Sequence, residues 1–117
     1  MKNNNLLKSF KYAFIGIFTS LKTERNLMIH TSIMTLVIIS GIILKISKYE
    51  WFTCIILFLT VISAELFNTA IEVTIDLVSP NKHPLAKKAK DISAGAVLIT
   101  AIGSAIIGLW IFIPKIF

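Results

Sequence analysis

Glu65, Asn68, Glu72 and Asp76 follow one another at intervals of three, four and four residues within a stretch that is otherwise apolar. On a helix at 100° per residue, with Glu65 at zero, Asn68 falls at about 300°, Glu72 at about 340° and Asp76 at about 20°, an arc of about 80°. The stripe runs ~16 Å along the helix axis from Asp76 to Glu65. Such oxygen groups can hold a hard cation or take a proton. They cannot face lipid cheaply, because one carboxylate at the centre of a spanning helix costs about 2.5 to 3.5 kcal/mol on insertion scales. The stripe must therefore meet protein, water or a cation.

The chain has six acids in all, and Glu24 and Asp91 complete a set of five that the topology below gathers at one membrane face, leaving Glu50 alone. Clustered carboxylates repel unless something positive sits among them. Mg²⁺ suits them, being commonly held by one or two carboxylates and the phosphates of a substrate. Lys87, Lys88 and Lys90, at the start of a helix, add point charges and a positive helix end for phosphate. Metal, lysines and acids together point to phosphoryl transfer, in which catalysis is mostly positioning and charge neutralisation. Two other readings compete: carboxylates paired with lysines to set the register of a structural membrane subunit, and an ion-coupled transport path. The path fits less well, because the far half of every span lacks a charge to continue it.

The elements that must position these groups are helices. Leu7, Phe10, Phe14, Ile17, Phe18 and Leu21 form one stripe with Lys11 and Lys22 at its edge, which predicts an amphipathic surface helix over about 6–22. A signal peptide is the competing reading, but lysines interrupt its apolar core and no small-residue cleavage site follows. Apolar blocks predict membrane spans at about 27–45, 51–78 and 90–113. The second would run ~42 Å as one helix, so its charged end should protrude into water. Pro80 and Pro84 break the chain after it, and the third span carries small residues such as Gly95, Gly103 and Gly108 that permit close helix approach in lipid. The fold class is thus an all-α membrane protein in a single domain over 1–117, three transmembrane helices plus the surface helix. Nine lysines and arginines lie in the N-terminal segment and second loop against three elsewhere, which places the N-terminus in the cytoplasm and the C-terminus outside.

Composition agrees: the 117 residues are 56% hydrophobic, too apolar for an ordinary soluble domain. The net charge of +6 lies beside apolar blocks, so anionic lipid and phosphate are better partners than nucleic acid. Cys54 is single and surrounded by apolar residues, a small hydrophobe without a disulfide or zinc pattern. No GxxxxGK[ST], GxGxxG, HRD or DFG occurs, so a phosphotransferase here is of another design.

Ala64-Glu65-Leu66-Phe67-Asn68-Thr69-Ala70-Ile71-Glu72 with Asp76, followed by Ala89-Lys90-Asp91 and Ser93-Ala94-Gly95-Ala96-Val97-Leu98, resembles the prokaryotic diacylglycerol kinase family of small membrane lipid kinases. The likeness covers residues 8 to 117, and Lys22 to Asn26, His30, Glu50-Trp51 and the Pro114-Lys115-Ile116 tail resemble its Gram-positive branch, mainly undecaprenol kinases. The resemblance implies ATP- and Mg²⁺-dependent phosphorylation of a membrane lipid alcohol, undecaprenol ahead of diacylglycerol, by a homotrimer of the cytoplasmic membrane. It further implies Glu65 as general base, Asn68 beside the transferred phosphoryl group, Glu24 and Glu72 on the metal, Lys90 on phosphate, and Asp76 and Asp91 ordering the nucleotide. His83 is read as a solvated loop residue. His30 and Asn5 depart from the enterobacterial pattern, which has a glutamate and an arginine there.

Overall fold

A computed structural model describes residues 5–117. Four helices follow in order: α1 (Leu6–Thr23), α2 (Arg25–Leu44), α3 (Lys48–Val78) and α4 (Pro84–Ile116), with no strand among the described residues. Lys2, part of the N-terminal charge count, lies outside them. Three helices, α2, α3 and α4, are long and apolar enough to cross a membrane. The 31 residues of α3 and 33 of α4 give lengths of about 46 and 50 Å, matching the longest molecular dimension of 51 Å. Both exceed the ~30 Å hydrocarbon layer, so each carries turns that stand in water.

Asn5 caps α1, its side chain accepting from the Lys8 backbone N–H at 3.0 Å. This gives the departure at position 5 a local structural role. A single extended residue, Glu24, ends α1 and begins α2, so the surface helix joins the first span without a loop. At the far end of α2, Lys45 adopts the left-handed conformation and the Ile46 N–H bonds back to the Gly41 carbonyl at 3.1 Å, closing the helix as a C-cap motif does. Gly41 is required there: a Cβ on it would come within 2.7 Å of the Trp51 ring. Ser47 then starts α3 with a capping box, its hydroxyl accepting from Glu50 N–H while the Glu50 carboxylate accepts from Ser47 N–H.

Residues 79–83 separate α3 from α4. Pro80 lies in this break, but Pro84 opens α4 as its first residue, since proline lacks only an N–H that the first turn leaves unpaired. The third membrane helix therefore begins six residues earlier than the apolar block indicated. His83 is its N-cap, Nδ1 accepting from the Leu85 N–H at 3.1 Å.

α3 packs most extensively on α4, then on α2, and α1 touches both α2 and α3. The fully enclosed core is small: Leu27, Ile46, Cys54, Val61 and Val97, with Glu65, Asn68 and Ser93 as its polar members. Large apolar side chains elsewhere are exposed, including Phe10, Phe14 and Phe18 along α1 and Ile99, Ile106 and Trp110 along α4. Several hydroxyls within the spans are satisfied locally. Ser32, Ser40, Thr53, Thr60 and Thr74 each donate to the carbonyl four residues back, as side chains in lipid must.

Candidate active site

The polar stripe of α3 is graded by depth. Glu65 and Asn68 are buried, at 2% and 5% exposure, Glu72 is half-buried and Asp76 is exposed. Three packed helices plus α1 already enclose the deep half of the stripe within one chain. α1 folds back at Glu24 and touches both α2 and α3. The Asn68 amide donates to Glu72 Oε1 at 2.7 Å, a helical (i, i+4) pair. Among the described residues, two buried side-chain oxygens have no hydrogen-bond partner: Glu65 Oε1 and Asn68 Oδ1. An orphaned buried polar atom costs about 1–3 kcal/mol, so a pair of them one helical turn apart marks a place prepared for a ligand.

Glu24 is positioned by the sharp α1–α2 junction. Its backbone serves both helices, with N–H to Ser20 and C=O to Met28, while its side chain makes no capping bond. The carboxylate is thus left for other work. Glu72 lies about two turns along α3 from Glu65, and Glu24 opens α2, the helix that carries His30. His30 Nε2 is 3.7 Å from Glu65 Oε1. His30 also lines a largely apolar cavity of about 410 Å³ between α2, α3 and α4, with Met34, Val61 and Ala105 among its walls.

Among the described residues no three His, Cys, Asp or Glu side chains gather into a metal cage. Two carboxylates with phosphate oxygens and water in the remaining positions is the ordinary environment of Mg²⁺, and Glu24 and Glu72 are the acids that could supply that pair. Asn68, by bonding one oxygen of Glu72, leaves the other oxygen outside that bond.

At the loop end, Lys90 Nζ bonds Asp76 Oδ1 at 2.5 Å and Lys87 Nζ bonds Asp91 Oδ2 at 2.6 Å. Both pairs are largely exposed and worth little as stability. A lysine has three donors, so Lys90 can keep Asp76 and still reach phosphate. An open cleft of about 680 Å³ lies here, with Asp76, Lys82, His83, Lys87, Lys90 and Asp91 among its walls. His83 is more than a solvated loop residue, since it holds the start of the helix that carries the lysines. The sixth acid, Glu50, sits at the opposite end of the bundle, 3.0 Å from Lys115.

Of the residues singled out from the sequence, Glu65, Asn68, Glu72 and Asp76 share one face of α3, Lys90 and Asp91 lie near the start of α4, and Glu24 forms the α1–α2 junction. Sequence reasoning did not find the approach of His30 to Glu65. The signal available was the single imidazole in an apolar span; the α2–α3 packing register that pairs it with Glu65 is not written in either helix alone.

A family model described as prokaryotic diacylglycerol kinase matches residues 11–112. The undecaprenol kinase of Bacillus subtilis (strain 168) is 46% identical over 113 residues, covering 97% of this chain and 92% of that one. A diacylglycerol kinase of Synechocystis is 39% identical over 96% of this chain and 65% of its own length. The diacylglycerol kinase of Pseudomonas aeruginosa is 30% identical over 80% of this chain and 76% of its own.

Proposed function

The chain belongs to the prokaryotic diacylglycerol kinase family and is a lipid kinase, and on that premise we propose that it transfers the γ-phosphoryl group of ATP to undecaprenol with Mg²⁺ bound. The observation that carries the mechanism is the Glu65 carboxylate, buried in an apolar bundle with Oε1 unpartnered and Asn68 and Glu72 on the same face. Its depth below the loop end suits the hydroxyl of a lipid whose tail stays in the bilayer. Glu65 takes the hydroxyl proton as that oxygen attacks the γ-phosphorus, the new P–O bond forms, and the bond to the ADP oxygen breaks. Glu24 and Glu72 would hold Mg²⁺, which supplies positive charge to the phosphates. Asn68 orients Glu72 beside the transferred phosphoryl group, while Lys90 binds phosphate, and Asp76 and Asp91 fix Lys90 and Lys87 around the nucleotide.

The first-named acceptor follows the Bacillus subtilis relative, which matches nearly all of this chain. The lysine distribution supports a cytoplasmic N-terminus and second loop, with the C-terminus outside. A homotrimer is supported by the small single-chain core and by the apolar area on α4 that neither α2 nor α3 covers. The test uses the purified chain in mixed micelles with labelled ATP and either undecaprenol or diacylglycerol. Faster transfer to undecaprenol is expected, faster transfer to diacylglycerol would reassign the acceptor, and transfer to neither would overturn both acceptors.

A further inference from the structure

His30 has no assigned role in the chemistry above, yet its imidazole is the cation-forming group brought to Glu65. The 3.7 Å between Nε2 and Oε1 lies outside hydrogen-bond range but within ion-pair range. Oε1 is buried without a hydrogen-bond partner. Glu72 on the stripe and Glu24 at the junction are the acids given above to Mg²⁺. A general base must be ionised when the acceptor arrives, and His30 is the cation-forming group within ion-pair range of it. The apolar walls of the neighbouring cavity, including Ile33, Met34 and Val61, strengthen any charge interaction made there, because little solvent screens it.

We infer that His30 is a positioning residue for phosphoryl transfer: as the imidazolium it holds the Glu65 carboxylate ionised and oriented to receive the proton of the lipid hydroxyl. His30 keeps its own proton through the step. The proton lost by the hydroxyl passes to the carboxylate, and ADP leaves with the electron pair of the broken P–O bond. This rests on the reading of Glu65 as base, so the test separates the two.

Full-length wild type, Glu65→Gln, His30→Gln and His30→Lys are compared in mixed micelles with labelled ATP and undecaprenol, measuring kcat and the KM for ATP. His30→Gln keeps bulk and hydrogen bonding without charge, and its kcat is expected to fall about tenfold or more with KM within about twofold. His30→Lys, which restores a cation, is expected to recover a large part of that loss. A fully active Glu65→Gln would overturn the base assignment and the role of His30 with it. An inactive Glu65→Gln beside an unimpaired His30→Gln would overturn the role of His30 alone. Equal loss in His30→Gln and His30→Lys, from packing or misfolding, would equally overturn it, because charge would not be the property that matters.

Discussion

Glu65, in the role proposed for it, combines two properties that oppose each other, deep burial and a chemistry that needs charge. A carboxylate hidden from water is costly to ionise, and in the proposed mechanism His30 on one side and a cation on the phosphates on the other lower that cost. Glu65→Gln preserves shape and removes basicity. It is expected to retain ATP binding and to lose about 10²- to 10⁴-fold in kcat, checked by single-turnover transfer alongside equilibrium nucleotide binding. Glu72 plays a different part, since Asn68 already fixes one of its oxygens. Glu72→Gln is expected to raise the Mg²⁺ concentration for half-maximal rate by about tenfold or more, measured by metal titration at saturating ATP. Asn68 shows why the residue types matter as a set: its amide has a donor end for Glu72 and an acceptor end left open.

Helix boundaries place these residues in depth. The one-residue junction at Glu24 swings α1 out of α2 and fixes the backbone of an acid proposed for the metal, which a longer linker would leave free to wander. At the other end, the α2–α3 turn is tight because Gly41 gives room to Trp51 and Ile46. Gly41→Val would drive a side chain into that ring and is expected to destabilise the bundle by about 1–3 kcal/mol. The check is a lower midpoint for thermal inactivation in detergent, with KM for ATP unchanged in the surviving enzyme, since the turn lies far from the site. α4 begins at Pro84 under the His83 cap, so Lys87, Lys90 and Asp91 occupy its first two turns and face the end of α3.

At the scale of the whole molecule, the long helices set two chemically distinct ends. Five acids lie toward the end formed by the α1–α2 junction and the α3–α4 loop, while Glu50 pairs with Lys115 at the other. With Cys54→Ala as background, Lys82→Cys is expected to react with an impermeant thiol reagent only from the cytoplasmic side, and Lys45→Cys only from outside. The reverse pattern would invert the orientation. A single chain leaves Ile99, Ile106 and Trp110 of α4 uncovered. The detergent-corrected mass is expected to be three times that of the 13.0 kDa chain; a monomeric mass in a fully active preparation would remove the trimer.

Periodicity and hydropathy were sufficient to determine four helices, three of spanning length, and the polar face of α3, because helical spacing alone decides which side chains share a face and lipid decides which segments can cross. The stripe Glu65, Asn68, Glu72 and Asp76 was legible for that reason, and Lys90-Asp91 through its motif. Tertiary structure alone decided the rest. The early start of α4 depends on a proline being acceptable in a first turn, so Pro84 read as a break where it is a beginning. The 3.7 Å approach of His30 to Glu65 depends on the axial register between α2 and α3, set by the Gly41–Trp51 contact and the buried Leu27, Cys54 and Val61. Residues 35 apart in sequence meet only through that packing, and no spacing rule within one helix encodes it.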